Sequence, residues 1–235
     1  MPTLRGSKTE HNLLAAFAGE SQARNRYSFA ASIARKEGFE QISSIFAETA
    51  DNEKEHAKVF FKHLQGGDAS ITASYPAGLS ADTLGQLKAA AAGERHEWTT
   101  LYAGFADQAL QEGFKEVAET FKQIAAVEEW HEKRYNKLIE AVQTKTVFKK
   151  PHKALWKCRN CGRVMEAVEA PAKCPTCQHP QAYFELFAEN FPGHLQQATR
   201  HFFLKTVYNP PSSGLFIFAF SDHRPNPKEE FLCLK

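Results

Sequence analysis

The pattern of apolar and polar positions divides most of the chain into four helical segments. Apolar residues recur every three or four positions over residues 13–31 and 39–64, and again over 84–105 and 117–139. Between the two pairs lie residues 65–79, rich in glycine and proline, and their length predicts a crossover along the length of a bundle. Four amphipathic helices with one long crossover predict a four-helix bundle.

Local signals predict where these helices begin and end. Thr9 and Glu10 precede the first helix, and Gly38 ends it. Asp82 offers an N-cap to the third helix. Pro151 cannot continue a helix, so we expect residues 147–153 to form a linker after the fourth.

Two Glu-x-x-His pairs lie on the second and fourth predicted helices, Glu53 with His56 and Glu128 with His131. Residues three apart share one face of a helix, so each pair can direct a carboxylate and an imidazole at the same point. Both pairs fall in phase with the apolar positions and are therefore expected to face the core. One such pair alone would be weak evidence of a metal site.

An internal repeat connects each pair to a further carboxylate. Glu20 lies 33 residues before Glu53, and Glu94 lies 34 residues before Glu128, each within an Ala-Gly-Glu sequence. A Glu-Gly-Phe sequence also precedes each pair, with its glycine 15 residues before the paired Glu. The one extra residue of the second half therefore lies between Glu94 and Gly113.

These carboxylates predict a site for two metal ions. Glu97, three residues after Glu94, adds a fifth carboxylate that the first half lacks, and exposure to solvent is its alternative role. Buried carboxylates are costly unless cations pair with them. A Glu from each of two helices and Glu-x-x-His from the other two is the ligand set of di-iron and di-manganese carboxylate proteins. Carboxylates with few imidazoles favour iron or manganese. Tyr27 and Tyr102, two turns after Glu20 and Glu94, either bond a ligand carboxylate or only pack.

Four of the five cysteines form two Cys-x-x-Cys pairs, Cys158 with Cys161 and Cys174 with Cys177. Twelve residues separate the pairs, a spacing that predicts a tetrahedral thiolate site for zinc or a single iron rather than disulfides. So short a segment needs metal to fold securely. The aromatic residues expected to form its small core are Trp156, Tyr183 and Phe184.

Composition excludes several other classes of protein. The chain has 235 residues, 24% of them charged, with a net charge of only +2, so no basic surface for nucleic acid or an anionic membrane is expected. The N-terminus lacks the apolar core of a signal peptide, and no apolar run reaches the length of a membrane span. These features predict a soluble, cytoplasmic protein.

The combination of motifs resembles the rubrerythrin family over about residues 4–191, and residues 18–27 and 45–50 are typical of it. The resemblance implies a mostly α fold, with a ferritin-like four-helix bundle followed by a small rubredoxin-like β module stapled by metal. Two non-haem irons would be bound by Glu20, Glu53, Glu94, Glu97, Glu128 and His131. One further iron would be bound by Cys158, Cys161, Cys174 and Cys177.

The resemblance also implies an activity. Rubrerythrins are peroxidases that reduce hydrogen peroxide to water in oxidative-stress protection, with electrons from a rubredoxin or an NAD(P)H-dependent reductase passing through the thiolate-bound iron. His56 would replace Glu97 at one iron when the site is reduced, so these two residues are the expected catalytic residues. A head-to-tail homodimer is implied as well.

Three regions follow from this interpretation. Residues 1–146 are predicted to form the di-iron bundle, and residues 152–191 the four-cysteine module. Residues 192–235, with Cys233, fall outside the family pattern and are predicted to be a weakly ordered tail, the alternative being a segment that packs on the bundle or alters assembly. The alternatives are an iron-storing ferritin relative, an oxidase that uses dioxygen, and a structural zinc ribbon in place of the thiolate iron.

Overall fold

The computed structural model describes residues 2–78 and 80–190 and shows a four-helix bundle followed by a small sheet. The helices are α1 Lys8–Lys36, α2 Glu40–His63, α3 Thr83–His96, α4 Tyr102–Gln111 and α5 Lys115–Gln143. A π-helix, Glu97–Leu101, joins α3 to α4, so these three elements form the third helix of the bundle. Within the described residues, no helix has the length and apolar character needed to cross a membrane.

Short polar side chains and glycines set the ends of the helices. Ser7 caps α1 by accepting a hydrogen bond from the backbone N–H of Glu10 (3.0 Å), so α1 begins slightly earlier than predicted. The predicted cap of α3 is confirmed, because Asp82 accepts from the backbone N–H of Gly85 (2.7 Å). Gly38 and Gly113 have φ values of +83° and +85°, a conformation that glycine adopts without a Cβ clash after a helix.

The repeated Glu-Gly-Phe turns join the two helical hairpins reciprocally. Glu112, at the end of α4, accepts hydrogen bonds from the backbone N–H (2.8 Å) and the hydroxyl (2.6 Å) of Thr9 in α1. Glu37, the equivalent residue after α1, accepts one from the backbone N–H of Thr83 in α3 (3.0 Å). Each hairpin therefore caps the first helix of the other hairpin.

Two apolar clusters fill the bundle on either side of its middle. One contains Tyr27, Phe46, Leu87 and Tyr135 among its fully buried members. The other contains Leu13, Phe60, Tyr102 and Phe121. Packing at both ends fixes the distances between the four helices at the level where the carboxylates lie.

The described part of the crossover between the hairpins covers residues 64–78 and 80–82. Tyr75 fastens it to α1, because the phenol donates a hydrogen bond to the backbone carbonyl of Ala15 (2.8 Å) and the ring packs against Gly19. This contact agrees with the prediction that the crossover runs along the bundle.

The cysteine module is a three-stranded antiparallel sheet in the order β2-β1-β3. Its strands are β1 Lys149–Cys158, β2 Val164–Glu169 and β3 Phe184–Leu186. The expected linker over residues 147–153 is partly wrong, since β1 already begins at Lys149. Pro151 is tolerated because the register between β1 and β2 is irregular between Lys149 and Ala154, where no ladder hydrogen bond is required of it.

The predicted aromatic core of the module is present. Trp156 and Phe184 are fully buried, and Tyr183 packs beside them, partly buried. The indole of Trp156 donates to the backbone carbonyl of Ala167 (3.0 Å), so its burial leaves no donor unpaired.

Aromatic stacking connects the module to the α1–α2 turn. Phe148 stacks on Phe39, with ring centroids 6.1 Å apart and planes 4° from parallel. Gly38, in the same turn, also lies close to the module, because a Cβ added to this glycine would be 3.7 Å from the side chain of Ala182. The predictions made for residues 192–235, including Cys233, lie outside the described residues.

Candidate metal centres

Two groups of ligand atoms meet in the middle of the bundle, and the internal repeat relates one group to the other. The first consists of Glu20, Glu53, His56 and Glu128, and the second of Glu94, Glu128, His131 and Glu53. Within each group, the ligand atoms lie within 4.8 Å of one another. Glu53 and Glu128 belong to both groups, so their two oxygens can bridge two ions, the arrangement that two-metal sites require.

Each imidazole faces carboxylates from both hairpins. His56 Nδ1 lies 3.0 Å from Glu53 and 2.9 Å from Glu128. His131 Nδ1 lies 2.8 Å from Glu128 and 3.4 Å from Glu53. Glu20 and Glu94 are more distant, at 3.8 Å from His56 and 3.6 Å from His131.

The donor atoms are buried and largely without hydrogen bonds. Six of them have no partner at a hydrogen-bonding angle within the described residues, although Glu128 lies 2.9 Å from one imidazole and 2.8 Å from the other. These atoms are Glu20 Oε2, Glu53 Oε1, Glu94 Oε2, both Glu128 oxygens and His131 Nδ1. Buried polar atoms are rarely left unpaired, and unpaired buried carboxylates are especially costly. Oxygen and imidazole donors that converge in this way fit two iron ions.

Without cations, protons must compensate the charge of these groups. Burial and the charge of Glu53 raise the pKa of Glu94 to about 8. Burial disfavours charge on His131, but Glu128 and Glu53 outweigh burial and raise its pKa to about 12. Bound metal would replace these protons, because ligand carboxylates and imidazoles must be deprotonated.

Two tyrosines hold the outer carboxylates, and they do so across the repeat. Tyr27, from the first half, donates a hydrogen bond to Glu94 Oε1 of the second half (2.5 Å). Tyr102, from the second half, donates to Glu20 Oε1 of the first half. Of the two possibilities for these tyrosines, the structure therefore shows the bond to a carboxylate.

The extra residue of the second half coincides with the π-helix. Tyr27 lies seven residues after Glu20, whereas Tyr102 lies eight after Glu94, so the insertion lies between Glu94 and Tyr102. A π-helix accommodates one added residue within an α-helix and is frequent at functional sites. Glu97 is its first residue.

Glu97 lies beside the two groups but belongs to neither of them. It is partly buried, and burial together with the charges of Glu94 and Glu128 raises its pKa well above the usual range. The structure thus places His56, rather than Glu97, among the donors of the first group.

Glu132 was not singled out in the sequence, although it packs against the π-helix. Its buried carboxylate accepts a hydrogen bond from the indole of Trp98 (2.6 Å) and lies 3.5 Å from Arg95. The only available signal was its position four residues after Glu128, on the same helix face.

The four cysteine sulfurs form a second candidate site at one end of the sheet. The sulfurs of Cys158 and Cys177 are 3.7 Å apart, and those of Cys161 and Cys174 are 3.6 Å apart. A disulfide would require about 2.05 Å. A tetrahedral ion with metal–sulfur bonds of about 2.3 Å would place its ligands slightly under 4 Å apart. The observed distances therefore fit one metal ion.

Backbone amides favour the thiolate form of Cys177 and Cys174. The backbone N–H of His179 is the largest influence on Cys177, whose pKa falls to about 6. Burial opposes ionisation of Cys174, but the backbone N–H groups of Cys177 and Thr176 outweigh it and lower the pKa. Cys161 is exposed, so one side of the site faces solvent.

Comparison with known proteins agrees with both sites. A family model described as Rubrerythrin matches residues 11–139 and 85–156, and one described as the rubredoxin-like domain of rubrerythrin matches residues 156–185. The chain belongs to the rubrerythrin family. The two kinds of metal site are accordingly a di-iron site and a four-cysteine iron site, and the family indicates an oxidoreductase.

Several relatives match almost throughout their own length. Rubrerythrin of Porphyromonas gingivalis is 56% identical over 189 residues, covering 80% of this chain and 94% of the relative. Rubrerythrin of Nitratidesulfovibrio vulgaris is 53% identical over 191 residues, covering 81% and 100%. A structure of fully reduced, all-ferrous nigerythrin superposes with a TM-score of 0.52 at 28% identity, covering 79% of this chain and 89% of that one. The predicted family and the ferritin-like fold are thus confirmed.

Proposed function

We propose that this protein is a non-haem di-iron peroxidase that reduces hydrogen peroxide to water and protects against oxidative stress. The observation that supports the proposal best is the presence, in one chain, of a buried two-metal carboxylate site and a partly exposed four-thiolate site. Reduction of a peroxide needs two electrons at one place, whereas a thiolate-bound iron passes one at a time. Two reduced irons, when bound, would supply the electrons that cleave the O–O bond.

We assign the metal ligands by position and chemistry. Glu53 and Glu128 would bridge the ions, while Glu20 with His56, and Glu94 with His131, would complete the two ends. The rubredoxin-type iron would be held by Cys158, Cys161, Cys174 and Cys177.

His56 and Glu97 would alternate at one ion. In the structure His56 lies with the donors and Glu97 lies beside them, which is the arrangement proposed for the reduced site. A neutral imidazole suits the reduced ions, which carry less positive charge, and a carboxylate suits the oxidised ions, which carry more. Tyr27 and Tyr102 would keep Glu94 and Glu20 oriented through the exchange.

The path between the two sites suggests a homodimer. The cysteine module contacts the beginning of α2, and Glu53 lies 13 residues further along that helix, a distance of about 20 Å at the usual rise. A head-to-tail second copy would bring its own thiolate site closer to these carboxylates. Electrons would reach the thiolate iron from a rubredoxin or an NAD(P)H-dependent reductase. Because these thiols suit a reducing compartment, we propose that the protein works in the cytoplasm.

Stopped-flow absorbance would test this function. The anaerobically reduced, iron-loaded protein is mixed separately with hydrogen peroxide and with dioxygen, and the visible ferric-thiolate band is followed. Recovery of the band much faster with peroxide is expected. Faster recovery with dioxygen would indicate an oxidase instead, and absence of the band would mean zinc at the cysteines and no internal relay.

A further inference from the structure

One side of the bundle carries a line of polar residues that its repeat-related side lacks. The line contains Glu48 and Thr49 of α2 together with Arg134 and Tyr135 of α5. The 75-residue offset between Glu53 and Glu128 relates these positions to the other half. Their counterparts, in the same order, are Gln123, Ile124, Val59 and Phe60. A polar line thus replaces a mostly apolar one on this side only.

The line begins at the surface and enters the core. The side chain of Glu48 is 62% exposed, and its carboxylate accepts a hydrogen bond from Arg134 Nη1 (2.6 Å). Arg134 Nη2 donates to the hydroxyl of Thr49 (2.6 Å), which is fully buried. Tyr135 is fully buried as well.

Two polar atoms along the line have no hydrogen-bond partner among the described residues. Arg134 Nε and the Tyr135 hydroxyl are buried and make no hydrogen bond within residues 2–78 and 80–190. Native proteins satisfy nearly all such atoms, with ordered water where protein groups are absent. The side chains of the counterparts Val59 and Phe60 contain no polar atom that would need a bound water.

The inner end of the line lies beside a tyrosine that bonds a ligand carboxylate. The ring centroids of Tyr135 and Tyr27 are 5.8 Å apart, and Tyr27 donates a hydrogen bond to Glu94. Burial and the charge of Glu94 raise the pKa of Tyr135, while Thr49 and Arg134 act in the opposite direction. The phenol therefore lies between the polar line and the carboxylates.

We propose that Glu48, Arg134, Thr49 and Tyr135 hold ordered water that conducts protons from solvent to the two-metal site. The inference rests on the proposed function, because reduction of peroxide consumes protons. Hydrogen peroxide, two protons and two electrons give two water molecules: the O–O bond breaks and two O–H bonds form. The electrons come from the donor through the cysteine site, and the protons come from solvent.

The residues differ in what they contribute to this path. The guanidinium of Arg134 has donors and no acceptor, so it orients water and does not relay protons. The Tyr135 hydroxyl can accept one proton and donate another. The Thr49 hydroxyl donates to the backbone carbonyl of Ile45 (2.9 Å) and accepts from Arg134, so it positions the guanidinium rather than passing a proton. Glu48 is the surface group at which the path opens.

A crystal structure of the iron-loaded protein in which ordered waters are visible tests the water directly. We expect a water bonded to the Tyr135 hydroxyl and to Arg134 Nε. A dry gap between these two atoms would overturn the proposal, whatever the protein does with peroxide.

Kinetics test the transport of protons. In Tyr135→Phe and in Thr49→Val, peroxide should re-oxidise the reduced protein about tenfold more slowly, with a larger solvent deuterium isotope effect. Thr120→Val is the matched control, because Thr120 also bonds the carbonyl four residues before it but lies in the other half. Tyr135→Phe should melt at the wild-type temperature, since the lost hydroxyl makes no hydrogen bond within the part of the chain that the structure describes.

The outcomes separate the two proposals. Variants as fast as Thr120→Val, with unchanged isotope effects, would overturn the proton path even if water is seen. A wild-type protein that peroxide does not re-oxidise would contradict the proposed function. In that case the crystal structure alone decides whether the water line exists.

Discussion

At the scale of single residues, the site depends on bonds between groups far apart in the sequence. Tyr27 and Glu94 are 67 positions apart, and Tyr102 and Glu20 are 82 apart. Helical spacing predicts which residues share a face, and so it predicts that the tyrosines point inward. It does not predict which carboxylate each tyrosine meets, because that depends on how the helices pack against one another.

Removing either phenol hydroxyl should therefore weaken the iron-loaded protein to a similar extent. For Tyr27→Phe and Tyr102→Phe we expect losses of about 1.5–3 kcal/mol each, the usual range for a hydrogen bond to a charged group. Denaturant unfolding measures this. Tyr183→Phe is the control, because its ring packs in the cysteine module instead. Losses below about 0.5 kcal/mol at both sites would show that these bonds do not support the carboxylates.

At the scale of elements, the π-helix explains the extra residue of the second half. The sequence shows that a residue has been added between Glu94 and Gly113, yet the apolar period alone predicts an unbroken helix there. Inserting a residue into a helix can rotate everything after it or be absorbed locally. Local absorption keeps Tyr102 facing the core and places Glu97 next to the site.

Deleting Thr99 should convert the third helix of the bundle, which the π-helix interrupts, to a continuous α-helix like α1. We expect an intact bundle with unchanged far-UV circular dichroism and two bound irons, since the first half folds without the residue. Peroxide turnover should fall at least about tenfold, because Glu97 would lose its place beside the site. Wild-type turnover in this variant would exclude a role for the π-helix.

The reciprocal caps make a second prediction at this scale. Glu112→Ala should cost about 1 kcal/mol at pH 7, the usual loss for a helix cap. The hydrogen bond from the Thr9 hydroxyl is the main reason why the pKa of Glu112 lies below its usual value. A lowered folded-state pKa stabilises above the unfolded pKa, so the difference from wild type should disappear as the pH falls below about 4.

Thermal unfolding of the two proteins between pH 7 and pH 3 measures this difference. Glu119→Ala, at an exposed position of α5, serves as the control. A difference that stays constant with pH would show that the charge of Glu112 does not contribute to the cap.

At the scale of the whole molecule, the bundle and the cysteine module each have their own apolar core and metal site. Motif spacing predicted both sites, because each depends on short-range geometry within a helix or within a Cys-x-x-Cys turn. The position of the module against the α1–α2 turn was not predictable, because it depends on two stacked rings, Phe39 and Phe148, in separate regions.

Removal of metal should affect the two regions separately. A chelator that strips the di-iron site should lower the melting temperature of the bundle by on the order of 10 °C, since several kcal/mol of carboxylate burial is left uncompensated. The double variant Cys161→Ser, Cys177→Ser should lose the visible band and leave the bundle transition unchanged. Calorimetry with metal analysis measures both, and a single joint transition that shifts in the double variant would contradict this separation.

The reciprocal bonds between the hairpins also bear on how such a site can be built from smaller parts. A single hairpin of this design carries a lone Glu, a Glu-x-x-His pair, a capping Glu and a tyrosine, yet its cap and its tyrosine both serve the opposite hairpin. Alone it would leave its own carboxylates unsupported, whereas two identical copies related by a two-fold axis would complete each other. Fusing two such copies into one chain requires no new interface, only a crossover, and it frees the halves to diverge.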